Sequence, residues 1–136
     1  MSGLTPRLVL NRSGATSTNA IHRVLWKRDL YPKQIAVSFL SSITQLSCEI
    51  EGRFYGGGVL KLEPSDAARV LVPLLPAPVT DKQYKELHKL CIEGKHAEAT
   101  RRVDALFIQA GLISQTQVNR IRKEIKRLRS RRLSGV

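Results

Sequence analysis

Leu74-Leu75-Pro76-Ala77-Pro78-Val79 divides the chain. Proline lacks a backbone donor and restricts the residue before it, so Pro73, Pro76 and Pro78 exclude a continuous helix here. Upstream, strand-like and helix-like runs alternate; downstream, every periodic run has the helical spacing. The pattern predicts an α+β fold: short strands and helices over residues 1–73, a proline-rich join at 74–79, and a small helical, basic subdomain over 80–136. The 136 residues are about one ordinary domain, so the halves can also share one core.

Downstream of the join the helix signals are local. Thr80 with Gln83 forms a capping-box pattern, followed by Tyr84, Leu87, Leu90 and Cys91 on one face before Gly94. Val103, Leu106, Phe107 and Ala110 mark a second helix that ends at Gly111. Ser114 with Gln117 repeats the cap, and Val118, Ile121, Ile125 and Leu128 mark the seam of a third.

Upstream, Leu8-Val9-Leu10 and His22–Lys27 are short apolar runs, the second with strand character. They flank a polar loop, Asn11 to Asn19. Ile35, Phe39, Ile43, Leu46 and Ile50 recur at spacings of 4, 4, 3 and 4, which predicts one amphipathic helix from Pro32 to about Ile50 with those five residues inward. Gly56-Gly57-Gly58 then leads into the β-prone Val59-Leu60-Lys61-Leu62. Pro64-Ser65-Asp66 opens a short helix that Pro73 is expected to stop.

Charge is the strongest compositional signal. Lys and Arg number 23 against 11 Asp and Glu, for a net charge of +12. Residues 1–79 carry 9 basic and 5 acidic side chains, residues 80–136 carry 14 and 6. Such an excess points to a polyanion, because neutralising phosphates releases condensed counterions. No apolar run approaches the roughly 18–20 residues of a membrane span, and no signal-peptide core is present, so a soluble protein of the cell interior is expected. Cys48 and Cys91 are too few and too far apart for a disulfide scaffold or a zinc knuckle. Cys48 reads as a small buried hydrophobe. His22, His88 and His96 show no metal-ligand spacing, and no nucleophile elbow is found.

The glycine triplet does not fit a nucleotide phosphate loop, since a strand-like run rather than a helix follows it. Two readings stay open: a bulge or hairpin turn, or a bare backbone that a ligand approaches between Arg53, Tyr55 and Lys61.

The stretches Asn11-Arg12-Ser13-Gly14-Ala15, Thr18-Asn19-Ala20-Ile21-His22-Arg23-Val24, Phe39 to Glu49 and, above all, Glu51-Gly52-Arg53-Phe54-Tyr55-Gly56-Gly57-Gly58-Val59-Leu60-Lys61-Leu62-Glu63-Pro64-Ser65 carry a resemblance. They are similar to the C-terminal target-recognition region of adenine-specific DNA methyltransferases from restriction–modification systems. Val103–Leu106, Gly111-Leu112 and Leu128–Arg132 extend the likeness to the tail. The resemblance implies duplex DNA as ligand, a catalytic methyltransferase domain or subunit as partner, and S-adenosylmethionine as cofactor of the complete enzyme. The family's Asn/Asp-Pro-Pro-Tyr/Phe adenine pocket does not appear, because the chain contains no Pro-Pro dipeptide. The chain alone is therefore expected to hold no cofactor and to transfer no methyl group.

For DNA contact, Arg12, Asn19, His22, Arg23 and Arg53 are of the types that read base edges. Tyr55, Gly56, Gly57, Gly58 and Lys61 form a turn able to meet a phosphate. In the tail, Arg122, Arg129 and Arg132 are expected on outward or flanking faces, against phosphates. Two other classes fit the composition: a free-standing nucleic-acid binder, which would bind DNA tightly alone, and a helical module whose basic tail docks an acidic partner.

Overall fold

The computed structural model describes residues 5–18, 21–25 and 31–134. In chain order its elements are α1 (Pro32–Ser38), α2 (Ser42–Glu51), β1 (Arg53–Tyr55), a 3-10 turn at Gly56–Gly58, β2 (Val59–Lys61), α3 (Pro64–Ala67), α4 (Asp81–Ile92), α5 (His96–Gln109) and α6 (Gln115–Ser134). The fold is α+β with a helical C-terminal part. Its sheet is one antiparallel pair, with Arg53 opposite Lys61, Phe54 opposite Leu60 and Tyr55 opposite Val59.

The downstream helices begin where their caps predict. Thr80 Oγ1 accepts from the Gln83 amide while the Thr80 amide donates to Gln83 Oε1, and Ser114 with Gln117 does the same. Each reciprocal pair satisfies donors that the first helical turn leaves open. The apolar core joins Val37, Leu75, Leu87, Leu90, Ala99, Val103 and Phe107. It draws on residues before, within and after the proline-rich join.

The expected helix from Pro32 to Ile50 is two helices. Ser41 is extended (ψ 153°) and its hydroxyl accepts from the Thr44 amide; a serine that offers the backbone this bond favours a cap over a helix interior. The expected inward face of the second helix is also corrected. Ile43 and Leu46 are half-buried and Ile50 is 63% exposed, whereas Ser42, Thr44, Gln45, Ser47, Cys48 and Glu49 are buried. Hydrophobic periodicity chose the wrong side because α2 packs its polar side on α5 and α6.

That polar side is fully engaged. Gln45 Nε2 donates to Leu40 O (3.0 Å) and Thr100 Oγ1 (2.6 Å), and its Oε1 accepts from Arg129 (3.0 Å). Asp104 of α5 accepts from the Ser42 amide (2.8 Å) and from the Ser42 hydroxyl, which places a carboxylate at the positive N-terminal end of α2. Glu49 lies between two arginines of α6: Arg129 Nε at 2.9 Å, and Arg132 Nε and Nη2 each at 3.1 Å. Burial pushes the neighbouring Cys48 thiol up to about 12; the charge of Glu49 adds to this and Arg129 opposes it.

Two smaller expectations change. The described part of the His22–Lys27 run, residues 22–25, forms no strand; Trp26 and Lys27 lie outside the described residues. Helix α3 is a single turn that ends before Pro73 can act, and beyond it the Leu71 amide donates to Ser47 Oγ (2.9 Å) on α2.

Removing one partner of a buried ion pair leaves the other charge stranded. Glu49→Gln should therefore cost about 3–5 kcal/mol of folding stability, against at most about 1 kcal/mol for Glu124→Gln in the exposed Arg127–Glu124 pair. Urea denaturation of the two variants checks this, and equal destabilisation would contradict it.

Candidate nucleic-acid interface

The glycine triplet is the turn of a hairpin. Gly57 and Gly58 take φ of +77° and +70°, values that favour glycine. A side chain on Gly56 or Gly57 would meet only open space, whereas a Cβ on Gly58 would sit 2.7 Å from Leu133 Cδ2. The turn thus has a bare outer tip and an inner shoulder pressed on the end of α6.

Opposed residues of an antiparallel pair share a face. Arg53, Tyr55, Val59 and Lys61 accordingly lie on one face of the hairpin, and Phe54 and Leu60 on the other. The structure brings together the predicted Arg53, Tyr55 and Lys61. Lys61 Nζ stands 5.1 Å from the Tyr55 ring centre. Both cations have carboxylate partners: Lys61 pairs with Glu63 at 2.6 Å and Arg53 with Asp66 at 3.1 Å. The hydrogen bond to Glu63 is the main reason that the Lys61 ammonium titrates above its ordinary value.

Asp66 anchors the hairpin from below. It accepts from Arg53 Nε, the Glu63 amide and Arg69 Nη2, each at 3.1 Å. Burial works against its charge, yet the Glu63 amide and Arg53 hold the carboxyl below its ordinary value. From behind, Arg132 Nη1 donates to the Gly58 carbonyl oxygen.

The other predicted residues separate. His22 joins the hairpin, with Nε2 donating to Leu62 O at 2.6 Å, and the exposed Arg23 follows it. Arg12 lies apart, lining a pocket of about 400 Å³ with Lys33, Asp81 and Lys85. Asn19 lies outside the described residues.

The expected outward placement of Arg122, Arg129 and Arg132 is corrected. Arg132 is 4% exposed and Arg129 half-buried, both on Glu49, while Arg122 Nη2 meets Asp104 at 2.8 Å. These side chains flank the apolar seam of α6 and turn inward because carboxylates of α2 and α5 wait there. The outward row is Arg120, Lys123, Arg127 and Arg131, all exposed and at the 3, 4, 4 spacing of one helix face. Sequence reasoning did not include these four among its candidate site residues. Among the described residues, Arg120, Lys123 and Arg131 have no ion-pair partner, and Arg127 pairs with Glu124 at 2.7 Å.

Residues 1–108 match the family described as Type II methyltransferase M.Eco57I, C-terminal domain. The chain belongs to that family. The resemblance read from the glycine hairpin and its flanks leads to the same place. The match covers Glu49, the hairpin and Asp104, and stops before α6, whose arginines complete both buried ion pairs. No curated protein and no solved structure matches the chain. Among the described residues no helix is long and apolar enough to cross a membrane, and no group of three His, Cys, Asp or Glu side chains could hold a metal ion.

The glycines should rank by their surroundings. Gly58→Ala combines left-handed backbone with a clash and should lower Tm most; Gly57→Ala has only the backbone strain, about 1–2 kcal/mol; Gly56→Ala should be near neutral. Thermal melts of the three variants test the order.

The Asp66 anchor disappears on protonation. Its folded pKa is depressed below 3.8, so its contribution is fully present above that value and vanishes as pH falls through the lower folded one. Hairpin amide resonances should hold constant from pH 7 to about 4 and shift below it. Asp66→Asn should remove that transition.

Proposed function

We propose that this chain is the DNA-recognition portion of an adenine-specific DNA methyltransferase, positioning duplex DNA for a catalytic domain that supplies the S-adenosylmethionine and adenine pockets. The observation that carries the reading is the division of α6. Its inner arginines are consumed by carboxylates, while its outer row repels itself along one face with, among the described residues, only Glu124 to compensate. From Arg120 to Arg131 that row spans roughly 16 Å at 1.5 Å per residue. A duplex presents one phosphate charge per roughly 1.7 Å of axis, so a row of this length finds ample anions. Membership of a methyltransferase C-terminal family supports the same partner.

The hairpin supports a division of labour. The end of α6 abuts the Gly58 shoulder, so the basic row leads toward a face bearing Arg53, Tyr55 and Lys61. Cations on the helix would hold phosphates and set register; the hairpin, with His22 and Arg23 beside it, offers the mixed polar and aromatic groups that read bases. Such a protein works where DNA is, in the interior of a bacterial or archaeal cell.

Replacing Arg120, Lys123 and Arg131 together by Gln should weaken duplex binding on every sequence alike. The slope of log affinity against log salt should fall by roughly 0.9 for each phosphate that the variant no longer neutralises. Anisotropy titrations of a labelled duplex at several salt concentrations measure this, with the catalytic subunit added where the chain alone binds weakly. A slope unchanged in the triple variant would falsify the assignment of α6 to DNA.

A further inference from the structure

A second basic feature lies on the other side of α6. Between α2, α5, α6 and the N-terminal segment runs a cleft of about 850 Å³, and Arg7, His96, Arg101, Arg122, Lys126 and Arg129 line it. Among the described residues, no aspartate or glutamate lines it. Arg122 and Arg129 are planted there by Asp104 and Glu49, which hold them from behind. Arg7, Arg101 and Lys126 have no ion-pair partner among the described residues. The remaining walls include Gln45, the apolar Leu40 and Ile125, and the small Thr100 and Ser130.

A concave surface lined by one sign of charge focuses its field more strongly than a convex row does. Arg122 and Arg129 are neutralised by Asp104 and Glu49, so the available charge of the cleft comes from Arg7, Arg101 and Lys126, and the open forks of Arg7 and Arg101 suit phosphate oxygens. The volume lies within the range of roughly 300–1,000 Å³ usual for single ligands, which suits one short phosphate-ester segment. We infer that it is a phosphate-ester site for a single nucleic-acid strand, separate from the outer row of α6. The phosphate lies against Arg7, Arg101 and Lys126, with a sugar or base over Leu40 and Ile125. The nature of the ligand rests on the DNA reading above; the position of the site does not.

The test titrates the full chain, labelled for amide NMR, with 5′-phosphorylated tri-thymidylate, with inorganic triphosphate and with hexaglutamate. The trinucleotide should shift Thr100, Arg101, Lys126 and Ser130 most. The Arg101→Ala/Lys126→Ala double variant alters two exposed residues without ion-pair partners among the described residues. It should keep its Tm while binding the trinucleotide roughly tenfold or more weakly, the scale set by removing charged hydrogen bonds. Lys82→Ala, at an exposed cation outside the cleft and the outer row, should leave trinucleotide binding unchanged. Shifts confined to the hairpin or the outer row, or a double variant that binds as well as the parent, overturn the site. Triphosphate binding without a preference for the trinucleotide reduces it to a small-anion site, and equal binding of hexaglutamate replaces the strand by an acidic peptide; either result overturns the inference. Failure of duplex binding at all salts, with trinucleotide capture intact, would instead count against the DNA reading alone.

Discussion

Glu49 is the one carboxylate among the described residues on which two guanidinium groups of α6 converge in the buried interior. The position of α6 depends on that meeting. Taking three charges out of water is unfavourable unless the geometry satisfies them, and here both carboxylate oxygens accept from arginine. Nonpolar packing alone would let α6 slide or rotate on α2 at modest cost, since apolar contacts are not directional. The ion pairs at Glu49 and Asp104 hold α6 at two points along its length and specify one register.

That register has a consequence for the hairpin. Arg132 reaches past Glu49 to the Gly58 carbonyl oxygen, so the end of α6 that closes the buried network also holds the glycine turn. Gly58 has a positive φ that favours glycine, and a side chain there would displace that of Leu133. Asp66 restrains the same hairpin from the opposite side. An exposed two-stranded ribbon is marginal alone; two anchors hold this one in a defined orientation.

The same helix separates two kinds of basic residue. Inner arginines are structural and neutralised; outer ones, among the described residues, have Glu124 as their one ion-pair partner. Net charge alone made all of them look equivalent. The distinction matters for any mutational study of the tail, because substituting Arg122, Arg129 or Arg132 perturbs folding before it perturbs binding.

Much was legible in the sequence. Capping boxes at Thr80 and Ser114, the glycine ends of α4 and α5, and the proline-rich join are local signals, and local hydrogen bonding decides them. The hairpin was legible as a turn beside a strand, with Arg53, Tyr55 and Lys61 flanking it, because alternation assigns faces at short range. The inward face of α2 was not legible. A row of Ile and Leu outweighs serines, a glutamine and a glutamate in any periodicity argument, and the glutamate's partners lie 80 and 83 residues away in the chain. Asp104, set beside Val103 on an apolar stripe, was the one hint that a buried cation would be needed. Sequence by itself determined where α4 and α6 start, where α4 and α5 stop, and how much positive charge the chain carries. Only the tertiary structure decided which of those charges are spent inside, because a buried ion pair exists only once two distant helices have met.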